Sequence, residues 1–107
     1  EHVASLRAED GMLSLRWAGA QRIVKRVPFP TLRIVVDDDA APFIREGKNV
    51  ITKTVQQADP ELRPGDDAPI VTSRGELLGI GRLVLSGHEL KQVDRGIAAR
   101  TVERPPN

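Results

Sequence analysis

The chain has 107 residues, which corresponds to one domain and excludes a large multidomain enzyme. Hydrophobic residues make up 39% and charged residues 29%, so there is enough apolar material for one core, and a disordered tail is excluded. Sixteen Lys and Arg against fifteen Asp and Glu leave a net charge of +1, so an anion-binding surface requires cations to segregate onto one face. Three aromatic residues are too few for a platform that stacks single-stranded nucleic acid. The absence of cysteine excludes disulfides, a thiolate nucleophile and a thiolate zinc site.

The sequence carries no targeting signal that we can identify. Its apolar runs are far shorter than a membrane span, and its first residues lack a signal-peptide pattern. We therefore expect a cytoplasmic protein with no membrane partner. Because the chain begins without Met and ends in Arg104-Pro105-Pro106-Asn107, we also expect a piece of a longer protein that contains a further domain.

The N-terminal part predicts short apolar elements followed by a connector. Apolar and polar residues alternate over Met12–Trp17, which predicts a half-buried strand. A second short apolar stretch, Ile23–Val27, ends at Pro28-Phe29-Pro30, where two prolines predict an extended connector. We place the internal boundary there, which divides the chain into a strand-containing segment 1–30, a domain 31–104 and a tail 105–107.

A strand followed by a short helix is predicted next. Leu32–Val36 is rich in β-branched residues, which favour strands. Asp39 is the predicted N-cap of the helix, and Gly47 can end it in a left-handed conformation. Phe43 and Ile44 are predicted to face the core.

The remaining residues predict a run of short strands joined by turns. Pro and Gly at the centre of Arg63–Asp66 fit a type II turn. Ser86 and Glu89 form a capping box, which predicts a helix that runs to about Arg95. The predicted strands are Val50–Val55, Ala68–Thr72, Leu77–Leu85 and Ile97–Glu103. A loop is predicted at 56–61 and a hairpin turn at Ser73–Glu76.

Two features of these strands predict their surroundings. Pro69 cannot donate to a ladder, so its strand is predicted to lie at an edge or to contain it among its first residues. Gly79 and Gly81 predict a bulge or a bend such as a small barrel needs. Many short strands with two short helices predict a mainly β fold, a small mixed barrel.

From Leu32 to Glu103 this order of elements resembles the PUA domain, an RNA-binding pseudobarrel. The resemblance extends to archaeal archaeosine tRNA-guanine transglycosylases and archaeosine synthases, whose C-terminal PUA domain is similar here. The segments that carry it are Val36-Asp37-Asp38-Asp39-Ala40-Ala41-Pro42-Phe43-Ile44, Gly47-Lys48-Asn49-Val50, Asp59-Pro60-Glu61-Leu62-Arg63-Pro64-Gly65-Asp66, Leu77-Leu78-Gly79-Ile80-Gly81-Arg82 and Asp94-Arg95-Gly96-Ile97-Ala98. The stretch from Asp10 to Ala20 is similar to the one that precedes the PUA domain in those enzymes. The resemblance therefore implies a PUA-like pseudobarrel preceded by a small strand-containing segment.

One corner of the chain combines glycine with cations. At Gly47 the backbone is open to a phosphate or sugar, and Arg45, Lys48 and Lys53 lie close to it in sequence. The resemblance gives this helix and the following strand an RNA-binding role, which falls on Arg45, Gly47, Lys48, Asn49 and Lys53. The alternative is a simple helix C-cap among solvated cations, and one conformation of Gly47 serves both. Arg82 is either an outward-facing strand residue or a further phosphate contact.

Other groups suggest no chemistry of their own. Asp37, Asp38 and Asp39 alternate in direction along the chain and cannot all converge on a metal. His2 and His88 lack a ligand-spaced partner, and Ser86 lacks a nucleophile-elbow pattern. We therefore predict no catalytic residue, no metal and no cofactor.

The sequence thus predicts a binding module without catalytic activity of its own. The resemblance implies that it binds RNA, with the tRNA acceptor stem and 3′ end as the expected partner, for a catalytic domain elsewhere in the full-length chain. One alternative is a stand-alone PUA protein in ribosome or tRNA biogenesis. A second alternative is a protein-interaction module whose exposed barrel edge is marked by Pro69. A third alternative is an enzyme that acts without a partner domain. Neither the particular RNA nor the oligomeric state follows from the sequence.

Overall fold

The computed structural model describes residues 16–29, 31–91 and 95–105. Within them two α-helices and six strands are present, together with short 3₁₀ turns at Asp38–Ala40, Thr52–Thr54 and Glu89–Lys91. The helices and strands are α1 (Trp17–Arg26), β1 (Ile34–Val36), α2 (Ala41–Arg45), β2 (Val50–Ile51), β3 (Val55–Ala58), β4 (Asp67–Thr72), β5 (Leu77–Leu83) and β6 (Ile97–Glu103).

The strands form one curled sheet in the order β2-β6-β5-β4-β1-β3. Only β1 and β4 pair in parallel, and each other neighbouring pair is antiparallel. The two end strands, β2 and β3, are joined directly by the turn Thr52–Thr54, so the ends of the sheet meet and the sheet nearly closes. The predicted mainly β pseudobarrel with short helices is confirmed.

The predicted strand at Val50–Val55 is wrong in its second half. Thr54 Oγ1 donates to the carbonyl of Ile51 at 2.7 Å, which stabilises a 3₁₀ turn between β2 and β3. The residues predicted as a loop after Val55 include β3, which pairs with β1. A hydroxyl that bonds to nearby backbone offers the chain an alternative to the ladder, and that effect overrides the β-branched composition here.

Two glycines curve the sheet as predicted. The β4–β5 register shifts next to Gly79, and the β5–β6 register shifts next to Gly81. A Cβ at Gly79 would lie 2.9 Å from the carbonyl oxygen of Glu103, and one at Gly81 would lie 2.9 Å from Cδ1 of Ile70. The backbone and the barrel interior therefore approach these positions too closely for a side chain.

The N-terminal segment differs from the prediction. Trp17, predicted to end a strand, begins helix α1, and the apolar stretch at Ile23–Val27 belongs to the last turn of that helix and the residue after it. The other residues of the predicted strand, 12–15, lie outside the described residues. Ala20 and Ile23, three positions apart, are buried against Ile80 of β5. This contact favours the helix over the strand that the alternation predicts.

The described residues form two apolar clusters, one on each side of the sheet. The barrel interior is filled mainly by aliphatic side chains, including Ile34, Val36, Ile44, Val50, Leu62, Ile70 and Leu78. The smaller cluster lies between α1 and the outer face of β5. Helix α1 therefore packs on the barrel, and the division into 1–30, 31–104 and 105–107 stays a prediction.

The predicted turns are largely confirmed. Arg63–Asp66 is a type II turn, in which Gly65 has φ +90° and Asp66 N–H donates to the Arg63 carbonyl at 3.0 Å. In the capping box, Ser86 N–H donates to Glu89 Oε1 and Glu89 N–H donates to Ser86 Oγ, both at 3.0 Å. The element that follows is a 3₁₀ turn at Glu89–Lys91, and residues 92–94 of the predicted helix lie outside the described residues.

Three single-residue predictions need correction. Asp39 does not cap α2, because it lies inside the preceding 3₁₀ turn. Phe43 does not face the core, since its side chain is 58% exposed while the neighbouring Ile44 is buried. Of the two alternatives for Pro69, the edge strand is wrong, because β4 lies between β5 and β1, and the position among the first residues is confirmed, because Pro69 is the third residue of β4. Pro69 is tolerated there because the β1 ladder begins only at Ile70.

Candidate nucleic-acid interface

The corner after α2 has the backbone conformation that the sequence predicts. Gly47 has φ +95°, and its N–H donates to the Ile44 carbonyl at 2.9 Å. The N–H of Lys48 donates to the Phe43 carbonyl at 3.0 Å, so the carbonyls of Phe43 and Ile44 both accept hydrogen bonds at the end of the helix. Gly47 therefore ends α2 by directing the chain back toward β2.

Arg104 covers Gly47. A Cβ built at Gly47 would lie 3.0 Å from Cδ of Arg104, so the arginine stem lies against the glycine backbone. Its guanidinium donates from Nη1 to the Glu46 carbonyl at 3.3 Å. Arg104 lies at the opposite end of the domain in sequence, so no sequence pattern connects it with this corner. It reaches this corner because β6 pairs with β2, and no local signal indicates that contact.

An open groove of about 490 Å³ lies beside the corner. Two exposed apolar side chains line it, Phe43 (58% exposed) and Ile51 (50% exposed), together with the buried Ile44. Lys48 and Asn49 also line it. Large exposed apolar side chains gathered at one concave surface mark an interaction site. The groove was not predicted from the sequence, because Phe43 was expected to face the core.

The charge around the groove is mixed. Asp37 and Asp39 line it together with Lys48. Asp37 Oδ1 accepts from Gln56 Nε2 at 2.7 Å, which holds that carboxylate at the groove wall. The groove is therefore not lined by cations alone. A ligand that binds here meets the carboxylates of Asp37 and Asp39 as well as the ammonium group of Lys48.

Two other cations of the predicted RNA-binding set, Arg45 and Lys53, lie outside the groove. Arg45 pairs through Nη2 with Glu76 Oε2 at 2.7 Å, beside the β4–β5 turn. Lys53 is exposed on the 3₁₀ turn that joins β2 to β3. Neither side chain lines the groove. The structure thus brings Lys48, Asn49 and Gly47 together and places Arg45 and Lys53 on the neighbouring elements.

Arg82 lies two strands away from β2. Its Nε donates to Asp67 Oδ1 at 2.9 Å and its Nη2 to Oδ2 at 3.4 Å. This hydrogen-bonded ion pair raises the pKa of Arg82, first through the hydrogen bond and then through the charge of Asp67. Half of the Arg82 side chain is exposed, as the outward-facing alternative predicts, while the Asp67 side chain is buried.

The acidic residues do not form a metal site in the part of the chain that the structure describes. Asp38 accepts from Ser73 Oγ at 3.3 Å, whereas Asp37 accepts from Gln56 Nε2. No cluster of three or more possible ligands is found among the described residues. None of the helices within residues 16–29, 31–91 and 95–105 is long and apolar enough to cross a bilayer.

The nearly closed sheet, with a short helix beside β2 and an open groove at the corner between them, defines a pseudobarrel binding module. The family model for the PUA domain matches residues 32–104. The chain belongs to the PUA domain family.

Relatives and solved structures agree with this assignment. The chain is 48% identical over 100 residues to the tRNA-guanine(15) transglycosylase of Thermococcus onnurineus, a match that covers 94% of this chain and 17% of the relative. It is 39% identical to the enzyme of the same name from Methanocaldococcus jannaschii, over 94% of this chain and 15% of the relative. The chain thus spans about a sixth of the length of these relatives. A conserved PUA domain protein from Thermoplasma acidophilum has a TM-score of 0.72 at 25% identity, covering 82% of this chain and 58% of that chain.

Proposed function

We propose that this PUA domain binds tRNA and holds its acceptor stem and 3′ end, as a cytoplasmic module of an archaeosine-pathway enzyme. The catalytic domain of that enzyme would lie outside this chain. The names of the curated relatives, tRNA-guanine(15) transglycosylases, support tRNA as the ligand. The observation that carries the proposal is the groove, in which exposed Phe43 and Ile51 adjoin Lys48.

The groove is suited to an unstacked base of a single-stranded end. RNA is read mainly where bases are splayed out and can stack on protein side chains. The ring of Phe43 offers one face, and Ile51 offers an apolar surface beside it. Asp37 and Asp39 can accept hydrogen bonds from the amino group of cytosine or adenine, which gives the two carboxylates a part in binding.

The backbone of that strand would run along the cations. Carboxylates repel phosphate, so the sugar-phosphate chain would lie on the Lys48 side of the groove, toward Gly47 and Arg104. Asn49 adds an amide to the same wall. Lys53 would contact a phosphate beyond it.

Arg45 and Arg82 would contribute to phosphate binding from the periphery. Each guanidinium already donates to a carboxylate, so each would share its charge between the protein and the RNA. The binding energy of all these contacts would position the tRNA so that a distant base reaches the active site of the full-length enzyme.

The test compares two RNAs and two variants. We expect the 107-residue chain to bind intact tRNA about tenfold or more tightly than tRNA that lacks its single-stranded 3′ end, as measured by fluorescence anisotropy. Phe43→Ala should abolish this preference. Val84→Ala, which also shortens an exposed apolar side chain but lies outside the groove, should retain it.

The alternatives give different results. A stand-alone PUA protein of ribosome biogenesis would bind both tRNAs equally and prefer a ribosomal RNA fragment. A protein-interaction module would bind neither RNA, or would bind with no dependence on salt. Equal affinity of the unaltered chain for the two tRNAs would contradict the proposal.

A further inference from the structure

A second cleft lies between the end of α1 and the β4–β5 turn. It has a volume of about 300 Å³ and shares no lining residue with the groove. Its lining residues are Val24, Phe29, Arg33, Ser73, Arg74 and Gly75, and we call it the Arg33 cleft. Two of the six are arginines and none is a carboxylate, so the potential inside the cleft is positive.

Arg33 is a buried cation whose hydrogen bonds all go to neutral groups. Its side chain is among the largest fully buried ones, with 1% of the residue exposed. The two Nη atoms donate to five carbonyl oxygens, at 2.9 to 3.2 Å, from Pro28, Thr31, Ile23, Val24 and Val27. Its Nε is buried as well and has no hydrogen-bond partner among the residues that the structure describes.

This arrangement leaves positive charge at the cleft wall. Carbonyl dipoles stabilise a buried guanidinium less than a carboxylate would, and burial accordingly lowers the pKa of Arg33. The ring of Phe29 stacks at 5.7 Å from Cζ of Arg33, which holds the guanidinium without neutralising it. An anion in the cleft would therefore gain Coulomb energy from a charge that is already fixed in place.

Arg74 supplies a second, accessible cation on the other side. It is exposed on the β4–β5 turn, and its backbone N–H is held by Thr72 Oγ1 at 3.3 Å. Arg74 also lines a neighbouring depression together with Asp38 and Glu76, and both of these carboxylates have other partners. Asp38 accepts from Ser73 Oγ, and Glu76 pairs with Arg45. The planar guanidinium of Arg74, at the wall of the cleft, can bind an anion in a bidentate manner.

We propose that the Arg33 cleft binds a phosphate group. Arg74 donates the hydrogen bonds, while the buried Arg33 supplies a fixed positive charge at the cleft wall. The phosphate belongs either to the backbone of a bound RNA or to free phosphate in solution. The first source rests on the proposed tRNA binding, and the second does not depend on it.

The first experiment uses inorganic phosphate and the 107-residue chain. We expect a saturable shift of the Gly75 amide and the Arg33 Nε–H in ¹H–¹⁵N spectra, with sodium chloride used to keep ionic strength constant. Arg74→Ala should weaken the apparent affinity about tenfold, because one charge-assisted contact is lost. Arg63→Ala, which removes an exposed turn arginine outside the cleft, should leave it unchanged. Arg74 is exposed, so its variant is expected to keep the fold.

The second experiment identifies the source of the phosphate. If RNA supplies it, Arg74→Ala should lower the slope of log affinity for tRNA against log salt by about one contact, and free phosphate should compete. If the slope is unchanged while inorganic phosphate still binds, the source is free phosphate. Absence of both the phosphate shift and the slope change would overturn the proposal. Failure of the unaltered chain to bind tRNA would contradict the proposed function. The result with inorganic phosphate would still test the Arg33 cleft by itself.

Discussion

Gly47 and Gly96 have nearly the same left-handed backbone, with φ of +95° and +98°, but different surroundings. At Gly47 a Cβ would meet Arg104, whereas nothing lies within 4 Å of a Cβ at Gly96. We expect Gly47→Ala and Gly96→Ala each to lower the free energy of unfolding by about 1–2 kcal/mol, because alanine is strained in this conformation. Urea denaturation measures this loss.

Comparison of the two glycine variants separates the effect of backbone strain on stability from the effect of the Gly47 corner on tRNA binding. Only Gly47→Ala should displace the flexible Arg104 side chain and weaken tRNA binding. The interpretation of the corner as an RNA contact would fail if both variants lost affinity equally.

Arg33 joins α1 to the barrel through a single side chain. Three of its hydrogen bonds go to the carbonyls of Ile23, Val24 and Val27 at the end of that helix. Arg33→Met should lower the free energy of unfolding by about 3 kcal/mol or more, because buried carbonyls then lose their donors. Arg33→Lys should recover only part of the loss, since an ammonium group has three donors where the guanidinium has five.

The measurement is urea denaturation, followed by far-ultraviolet circular dichroism for helix content. Arg63→Ala is the control, because that arginine is exposed. Equal stability of Arg33→Met and the unaltered chain would show that α1 is held by its apolar contacts alone.

At the scale of elements, the capping box gives a pH dependence with a definite sign. Hydrogen bonds from Ser86 lower the pKa of Glu89 below its ordinary value. A carboxylate with a lowered pKa in the folded state stabilises the protein above its ordinary pKa, and the effect is lost as the pH falls through the lowered value. We expect Glu89→Ala to lower the Tm at pH 7 and to have little effect near pH 3.

Thermal unfolding of the two proteins at both values of pH tests this. Glu61→Ala is a suitable control, since that glutamate is exposed and lies outside the capping box. A Tm difference that is the same at both pH values would contradict the role of the Glu89 carboxylate.

The elements also show where local patterns were sufficient. The turn at Arg63–Asp66 and the capping box depend on residues within four positions of each other, so the sequence predicts them correctly. Helix α1 and the 3₁₀ turn at Thr52–Thr54 were missed. Both compete with a strand pattern, and the packing on Ile80 and the Thr54 hydroxyl bond decide the outcome.

For the whole molecule, the net charge of +1 means that tRNA affinity must come from a local distribution of cations. We expect Lys48→Ala and Lys53→Ala each to weaken tRNA binding and to lower its salt slope by about one contact. Arg63→Ala should change neither. Affinities at several salt concentrations provide the measurement, and equal losses from all three variants would indicate a diffuse cation distribution instead of one binding face.

The sequence by itself determined the barrel, the left-handed Gly47 corner and the cations that follow it. The strands, the turns and the corner rest on residues close together in the chain, where backbone preference and side-chain periodicity act locally, and the barrel was inferred from their order. Only the tertiary structure decided that Arg104 covers Gly47 and that Phe43 lines a groove together with Ile51. The physical reasons are that strand pairing brings β6 beside β2 across about fifty residues, and that α2 buries Ile44 and leaves Phe43 exposed. No local pattern encodes which side chains then meet.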